Sequence, residues 1–552
     1  MNNTIKVEVA IIGGGPAGLA AAVAAKKAGV SRVIIIERDR QLGGLLYQCV
    51  HNGFGLQYFN SDLTGPEYAY HFLNLLENYN IEVYLNSMAI DVNADKEITV
   101  INSYDGLLKI KADAIILAMG CRERSRGAIN IPGSRPSGIF TAGTAQRFIN
   151  IEGYFPGKRI VILGSGDIGM IMARRVILEN AKVEAVVELM PYVGGLIRNE
   201  YQCLRDFNVP LYLSHTVSEI FGNERIEGVI ISKVDENYNI IAGTDKKIEC
   251  DTLLLSVGLI PENELSKTAG IDLDPVIGGP VIDENMQTNK AGIFAAGNVV
   301  HVHDLVDYVT LGGEKAGYAA AMYIFKKLKE SKRNIYIIRG DNIRYIVPQH
   351  IHNNSDVSIH MRVTKPAEKV ILKVNDNLFT KKMTMVRPSE MIKLDINTEL
   401  IRSLKGNELK IDCIEQNADN NYQVDKNYNN KGIEIICLTC PLACRMRVFL
   451  DADGGIKKVT HYKCKRGKEF AAKEIKNPER VLTGTLKTNN IDKPLISFRT
   501  NNLIPKRYIK KCMRILAGVE INRPVKSCDV IISNILDSGV DIIATMDYSI
   551  SL

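Results

Sequence analysis

Long apolar runs are missing from this sequence: nothing approaches the roughly 18 consecutive apolar residues that cross a bilayer, so no membrane-spanning segment is expected. No secretory leader is expected either. The first residues, MNNTIKVEVAIIGGG, hold one lysine and then a strand pattern running straight into a glycine turn, with no small-residue cleavage site. A cytoplasmic location is the expectation. A hydrophobic fraction of 46% and a charged fraction of 24% leave no sign of global disorder. No aromatic-basic nucleic-acid motif is present, so a nucleic acid partner is not expected.

What is present is length, and an uneven distribution of charge. A chain of 552 residues exceeds one hydrophobic core and predicts three or four domains. Its net charge of +7 divides into −7 over residues 1–330 and +14 over residues 331–552. A basic C-terminal part on an acidic body reads as facing solvent or an acidic partner protein. Eleven cysteines are present, an odd number, and four of them bunch at Cys437, Cys440, Cys444 and Cys464. In a reducing compartment such a bunch suggests a metal rather than a disulfide framework.

Val7 to Ile12 reads as a buried parallel strand, followed at once by Gly13-Gly14-Gly15-Pro16-Ala17-Gly18 and an alanine-rich helix pattern to Lys27. Gly13 permits the tight turn, Gly15 lets the backbone approach a pyrophosphate, and Gly18 lets helix and strand pack closely. A second strand ends at Glu37, 24 residues after Gly13 and placed to accept from ribose hydroxyls; Gly43 and Gly44 close the loop. The whole arrangement recurs at an offset of 151 residues: Gly164, Gly166 and Gly169 repeat the turn, Glu188 the acid, and Gly194-Gly195 the glycine pair. The strands ending at Gly120 and Gly258, and GIFAAGN at 292–298, fit a chain returning beside a bound dinucleotide.

Over about 330 residues these motifs resemble the two-dinucleotide flavoprotein reductases, the pyridine nucleotide-disulfide oxidoreductase class that contains glutathione and thioredoxin reductases. The resemblance implies FAD at Gly13, Gly15, Gly18, Glu37, Gly44, Gly120, Gly297 and Asn298, and a nicotinamide cofactor at Gly164, Gly166, Gly169, Glu188 and Gly258. Asn298 stands where this class usually carries an aspartate against the ribityl chain. Glu188 repels the 2′-phosphate of NADP, and Leu189 to Val193 offers no arginine or lysine to accept one, so NAD(H) is expected.

The implied fold is α/β: two Rossmann-like FAD/NAD-binding domains, the NAD domain inserted in the FAD domain, then a small β-rich domain and a cysteine-cluster α+β domain. The expected boundaries are 1–150 and 286–332 for FAD, 151–285 for NAD, 333–412 for the β-rich domain, 413–432 for an asparagine-rich linker, and 433–552 for the cysteine domain. A helix is expected to end near Glu330.

Disulfide reductases of this class pass electrons to a cysteine pair, but the stretch after Gly43-Gly44 holds only Cys49, with His51 two residues on. A dithiol route is unsupported. Cys49 with His51 could form a flavin-adjacent thiolate, as in single-cysteine NADH-dependent peroxidases, or Cys49 could simply pack. His301 and His303 follow the GIFAAGN strand and either approach the flavin or are ordinary hydrogen-bonded histidines.

The longer stretches QCVHNGFGL, LTGPEYA, GCRERSRGAINIPG and LGSGDIGMIMARR resemble a narrower group. These are FAD/NAD oxidoreductases that accompany glycerol-3-phosphate-dehydrogenase-like flavoproteins, distantly similar to the alpha subunits of sarcosine and opine oxidases. The resemblance implies electron relay between NAD and a flavoprotein dehydrogenase subunit, and an oligomer is compatible with it.

In the C-terminal part, Cys437-x2-Cys440-x3-Cys444 and the remote Cys464 are grouped three plus one, as the ligands of a 4Fe-4S iron-sulfur cluster can be. Zinc is the rival, since four thiolates satisfy it equally well, although zinc sites more often use paired knuckles. Over some 35 residues the pattern resembles the N-terminal cluster motif of molybdopterin oxidoreductases. Residues 433–552 as a whole resemble a small uncharacterised four-cysteine family. Three readings stay open: an electron-relay flavoprotein, a Cys49-dependent NADH peroxidase or reductase, and a non-catalytic redox-sensing or assembly module with structural zinc.

Overall fold

A computed structural model describes residues 4–328, 334–352, 355–375, 378–416, 432–440 and 442–549. The chain divides into two compact units, 1–46 with 68–122 and 259–422, and 47–67 with 123–258 and 423–552. Among the described residues no helix is long and apolar enough to cross a membrane.

The first unit is built on a seven-stranded sheet. Ile5–Ile12 lies at its centre, parallel to Val33–Ile36 on one side and to Gly106–Leu117 on the other. Strand Ile293–Ala295 then adds parallel to Gly106–Leu117, pairing Ala295 with Leu117. Ala10, Ile12, Ile34, Ile36, Ile115 and Leu117 form one continuous apolar layer, which is why these strands read as unbroken hydrophobic runs. Helix Pro16–Lys27 packs on helix Val306–Ile324 through small residues. A Cβ at Gly313 would collide with Ala17 O and one at Gly317 with Ala21 O, so the two backbones meet directly.

The same unit carries the β-rich part, a five-stranded and a three-stranded sheet. Strand Val357–Val363 alternates as the sequence suggests: Val357, Ile359, Met361 and Val363 are buried in the shared core, while Ser358, His360 and Arg362 take the other face.

The second unit is built on a five-stranded parallel sheet in the order Ile139–Thr141, Thr252–Leu255, Arg159–Leu163, Lys182–Glu188, Leu211–Leu213. It also contains the C-terminal region. A three-stranded meander (Ile433–Ile436, Arg445–Leu450, Ile456–Thr460) leads into helix Lys465–Lys476 and then a five-stranded sheet backed by helix Ile509–Leu516. Three arginines tie this region to the rest of the unit. Arg480 pairs with both Asp206 and Glu474 at 2.7 Å, Arg174 donates to Val481 O at 2.9 Å, and Arg499 meets Glu67 at 2.8 Å.

The units and elements end at positions other than the expected bounds. The chain passes between the units at 122/123 and 258/259 rather than 150/151 and 285/286, because Ile139–Thr141 already pairs with Thr252–Leu255 in the second sheet. The helix expected to reach Glu330 ends at Ile324, and 329–333 lie outside the described residues. Cys413 to Glu415, expected to open the linker, complete strand Glu408–Glu415, where Cys413 faces Leu372 across the ladder; 417–431 lie outside the described residues.

Candidate functional site

The first glycine turn has the shape of a phosphate cradle. Gly13 has φ +107°, and a Cβ there would collide with Ala118 O from the neighbouring strand. Gly15 caps helix Pro16–Lys27 with no side chain bonded to the helix amides, and a Cβ on it would meet nothing within 4 Å. The amides of the first turn therefore face open space, the arrangement that receives a pyrophosphate. Glu37 is buried beneath the turn: Gly14 N–H donates to its Oε2 at 2.6 Å and Asp39 N–H to its Oε1 at 2.8 Å. A carboxylate has about four acceptor positions, so room is left for ribose hydroxyls. Gly44 backs the turn, its Cβ position lying 3.1 Å from Gly15 Cα, and Gly120 also opens on free space. Gly297 and Asn298 follow strand Ile293–Ala295 in the same unit.

The second turn repeats the first almost atom for atom. Gly164 has φ +96° and is pressed by Ser256 O as Gly13 is by Ala118 O. Ser165 N–H donates to Glu188 Oε2 at 2.8 Å, and Met190 N–H to Glu188 Oε1 at 2.9 Å, the same pair of bonds displaced by 151 residues. Gly166 caps helix Asp167–Leu178 without a side-chain bond, and Gly169 N–H donates to Ser256 Oγ at 3.1 Å. Gly258 is held by its carbonyl, which accepts from Arg124 N–H at 3.0 Å. One difference was not legible in the motif: Asp167 stands where the first turn has Pro16, and its carboxylate is turned away to accept from Leu196 N–H and Asn199 Nδ2. Both cradles fit a dinucleotide on their own geometry.

Cys49 and His51 lie in the second unit. Burial pushes the Cys49 thiol up to about 12. Burial also pulls His51 down to about 4, with the charges of Arg198 and Arg174 adding to it. Gly53 makes room for the Arg198 guanidinium. At neutral pH the pair is a thiol and a neutral imidazole, so the imidazolium that would sustain a Cys49 thiolate is disfavoured here.

The four clustered cysteines gather at one end of the C-terminal meander. Cys437, Cys440 and Cys444 lie on the connection between strands Ile433–Ile436 and Arg445–Leu450, closed by Cys437 N–H donating to Cys444 O at 3.0 Å. Cys464 caps helix Lys465–Lys476, its Sγ accepting from Gly467 N–H at 3.4 Å. A Cβ at Gly467 would lie 3.8 Å from Cys437 Sγ, so that glycine sits between the trio and the remote cysteine. Among the described residues no three of these thiols come within 4.8 Å of one another. Ile436 and Ala443 pack on Ile197 and Tyr201, just beyond the Gly194-Gly195 loop of the second nucleotide fold.

Sequence reasoning named His301 and His303 but not their setting. Their rings lie 4.1 Å apart between centroids, and His360, from strand Val357–Val363, flanks them at 5.8 and 6.2 Å. A second grouping also escaped it: His352 Nδ1 lies 3.4 Å from Asp283 Oδ2, beside Glu284. Asp283 Oδ1 there accepts from Asn285 and Gln287 N–H at 2.8 Å, which gives it a turn-forming role.

Residues 465–546 match a family described as a protein of unknown function (DUF1667). The hydrogen cyanide synthase subunit HcnB of Pseudomonas protegens is 25% identical over 335 residues, covering 56% of this chain and 67% of that protein. An opine oxidase subunit of Agrobacterium tumefaciens is 25% identical over 311 residues, covering 53% and 61%. The glutamate synthase [NADPH] small chain of Escherichia coli is 28% identical over 346 residues, covering 56% and 67%. The chain thus spans 61% to 67% of the length of these relatives. The thioredoxin reductase of T. acidophilum superposes with a TM-score of 0.48 at 24% identity, over 58% of this chain and 99% of that one. Residues 7–309, which hold both cradles, match the family described as pyridine nucleotide-disulphide oxidoreductase, and the chain belongs to that family.

Proposed function

We propose that this protein is an FAD- and NAD(H)-dependent electron-transfer oxidoreductase. In this reading the first cradle holds FAD and the second NAD(H), and hydride passes between them. Electrons then pass to or from a four-cysteine iron-sulfur cluster and a partner dehydrogenase subunit. The observation that carries the reading is the duplication of the cradle down to its hydrogen bonds, Glu37 on Gly14 and Glu188 on Ser165. When bound, FAD supplies both two-electron and one-electron chemistry, which a relay between nicotinamide and a cluster requires. Glu188, buried and fixed by two backbone N–H groups, places negative charge at the ribose position and supports NAD(H) over NADP(H).

For the cysteines, the three-plus-one spacing favours a cluster, since zinc sites more often use paired knuckles. The cysteine connection packs on the second nucleotide fold through Ile436, Ala443, Ile197 and Tyr201, which supports a role in the same redox function. A partner dehydrogenase subunit, resembling glycerol-3-phosphate dehydrogenase, is supported by the likeness to proteins that are themselves named as subunits.

The test is one anaerobic purification of the whole protein, with flavin, iron and zinc assayed and spectra taken before and after NADH. Stoichiometric FAD bleached by NADH, with iron and broad absorption near about 400 nm, is the expected result. Zinc without iron would remove the cluster from the reading, and flavin reduced faster by NADPH than by NADH would remove the cofactor assignment.

A further inference from the structure

Asn298 stands at a position where the family resemblance leads one to expect aspartate, and the exchange changes more than charge. The backbone N–H of His303, which can only donate, lies 3.1 Å from Asn298 Oδ1. That contact fixes which end of the amide is the oxygen. His303 Nδ1 lies 3.3 Å from the same oxygen and donates to it in the Nδ1–H tautomer, the form this contact favours. The oxygen of Asn298 is thereby occupied twice. Its Nδ2, with two N–H groups, has no hydrogen bond among the described residues, and Asn298 is half-buried on the turn after strand Ile293–Ala295.

The His303 ring has little freedom to leave this arrangement. It rests against His301, which is buried, and against His360 from the β-rich part of the same unit. Behind them Arg362 pairs with Asp304, donates to Tyr345 Oη at 2.9 Å, and anchors the strand that carries His360. Burial above all, reinforced by His360 and Arg362, pulls His303 down to about 3, so it contributes a donor without a charge.

We propose that His303 is a positioning residue. It holds the Asn298 oxygen and so presents the Asn298 amide N–H2 to the bound flavin, making the flavin easier to reduce than a carboxylate at this position would. The proposal rests on the reading that the first cradle holds FAD. Reduced flavin carries negative charge at neutral pH; an N–H donor favours that state and a carboxylate opposes it. The charge-neutral Asn298–His303 pair thus sets the potential at which the flavin receives electrons.

The experiment is potentiometric titration of the FAD-loaded full chain, parent against Asn298→Asp, His303→Leu and His303→Gln, with flavin content measured separately. Asn298→Asp should shift the equilibrium about tenfold toward oxidised flavin, about 30 mV for a two-electron couple. His303→Leu should shift it about threefold in the same direction, and His303→Gln, which restores a donor to Asn298 Oδ1, should stay within about twofold of the parent. Full flavin content with a parental potential in His303→Leu overturns the positioning role, and a parental potential in Asn298→Asp overturns the proposal altogether. If His303→Leu does not fold, Asn298→Ala decides: it removes donor and anchor without adding charge, and an unchanged potential again overturns the proposal. A parent protein that holds no FAD fails at the earlier step, which separates the failure of the flavin assignment from the failure of this inference.

Discussion

Arg480 donates from Nε to Asp206 Oδ2 across 2.7 Å, joining residues 274 apart in the chain inside one compact unit. Arg480 is buried and turns its other nitrogens to Glu474, while Lys506 adds a second cation to Asp206. Removing one partner from such a network leaves charge buried without compensation, which typically costs about 3–5 kcal/mol. Arg480→Ala should lower the urea midpoint accordingly and expose the C-terminal region to limited proteolysis; an unchanged midpoint would mean the network is not what attaches it.

The two cradles make opposite demands on a pair of alanine substitutions. Gly13→Ala drives a Cβ into Ala118 O and Gly164→Ala drives one into Ser256 O, each at a positive φ that alanine resists. Gly13→Ala is expected to yield protein without flavin. Gly164→Ala should keep its flavin but lose at least about tenfold in the rate of reduction by NADH, since about 1.4 kcal/mol of weakened nucleotide binding already gives that factor. Flavin content and stopped-flow bleaching measure the two outcomes, and a Gly164→Ala protein that loses flavin instead would reverse the assignment of the turns.

At the cysteine end, Cys437→Ser and Cys464→Ser should each abolish bound metal while leaving NADH reduction of the flavin intact. Cys512→Ser and Cys528→Ser, at positions outside the group, should keep the metal. Metal analysis of the four variants side by side checks this, and retention of full metal in Cys464→Ser would detach that residue from the site. Cys49→Ser is expected to leave NADH-driven flavin reduction unchanged, and Cys49 should resist iodoacetamide through about pH 9, because burial keeps it a thiol.

Acid should destabilise the protein through its histidines. Burial pulls His51 and His360 down to about 4 and His303 to about 3, whereas each takes up a proton near pH 6.5 once unfolded. A depressed folded value means the stability is present above pH 6.5 and is lost as the pH falls toward 4, at about 1.4 kcal/mol per pH unit for each histidine involved. Urea titrations at about pH 7.5, 6 and 5 should show this decline; a flat profile would place these rings in contact with solvent.

Much of this was visible in the sequence because glycine, acid and strand patterns are local. The spacing from Gly13 to Glu37 and its copy from Gly164 to Glu188 follow from one strand-turn-helix-strand unit, so the pattern and the geometry coincide. Ala118 and Ser256, which press on the two turns, were not legible, since a strand packing from elsewhere in the chain leaves no mark in the motif it touches. The same holds for His360: its position in Val357–Val363 reads as an ordinary polar alternate, and only the fold brings it to His301 and His303. The entry of Ile139–Thr141 into the second sheet was not legible, because a strand three residues long is too short to announce which sheet it joins.

The direct backbone meeting of Gly313 and Gly317 with Ala17 and Ala21 bears on the order of events during synthesis. Helix Pro16–Lys27, whose first turn faces the phosphate site, has no partner for its small-residue face until Val306–Ile324 has left the ribosome. By then all five strands of the parallel sheet between Ile139 and Leu255 have already emerged. Every strand of the downstream parallel sheet has thus been translated before the upstream helix can meet its partner, and the upstream turn waits for a helix made well after it.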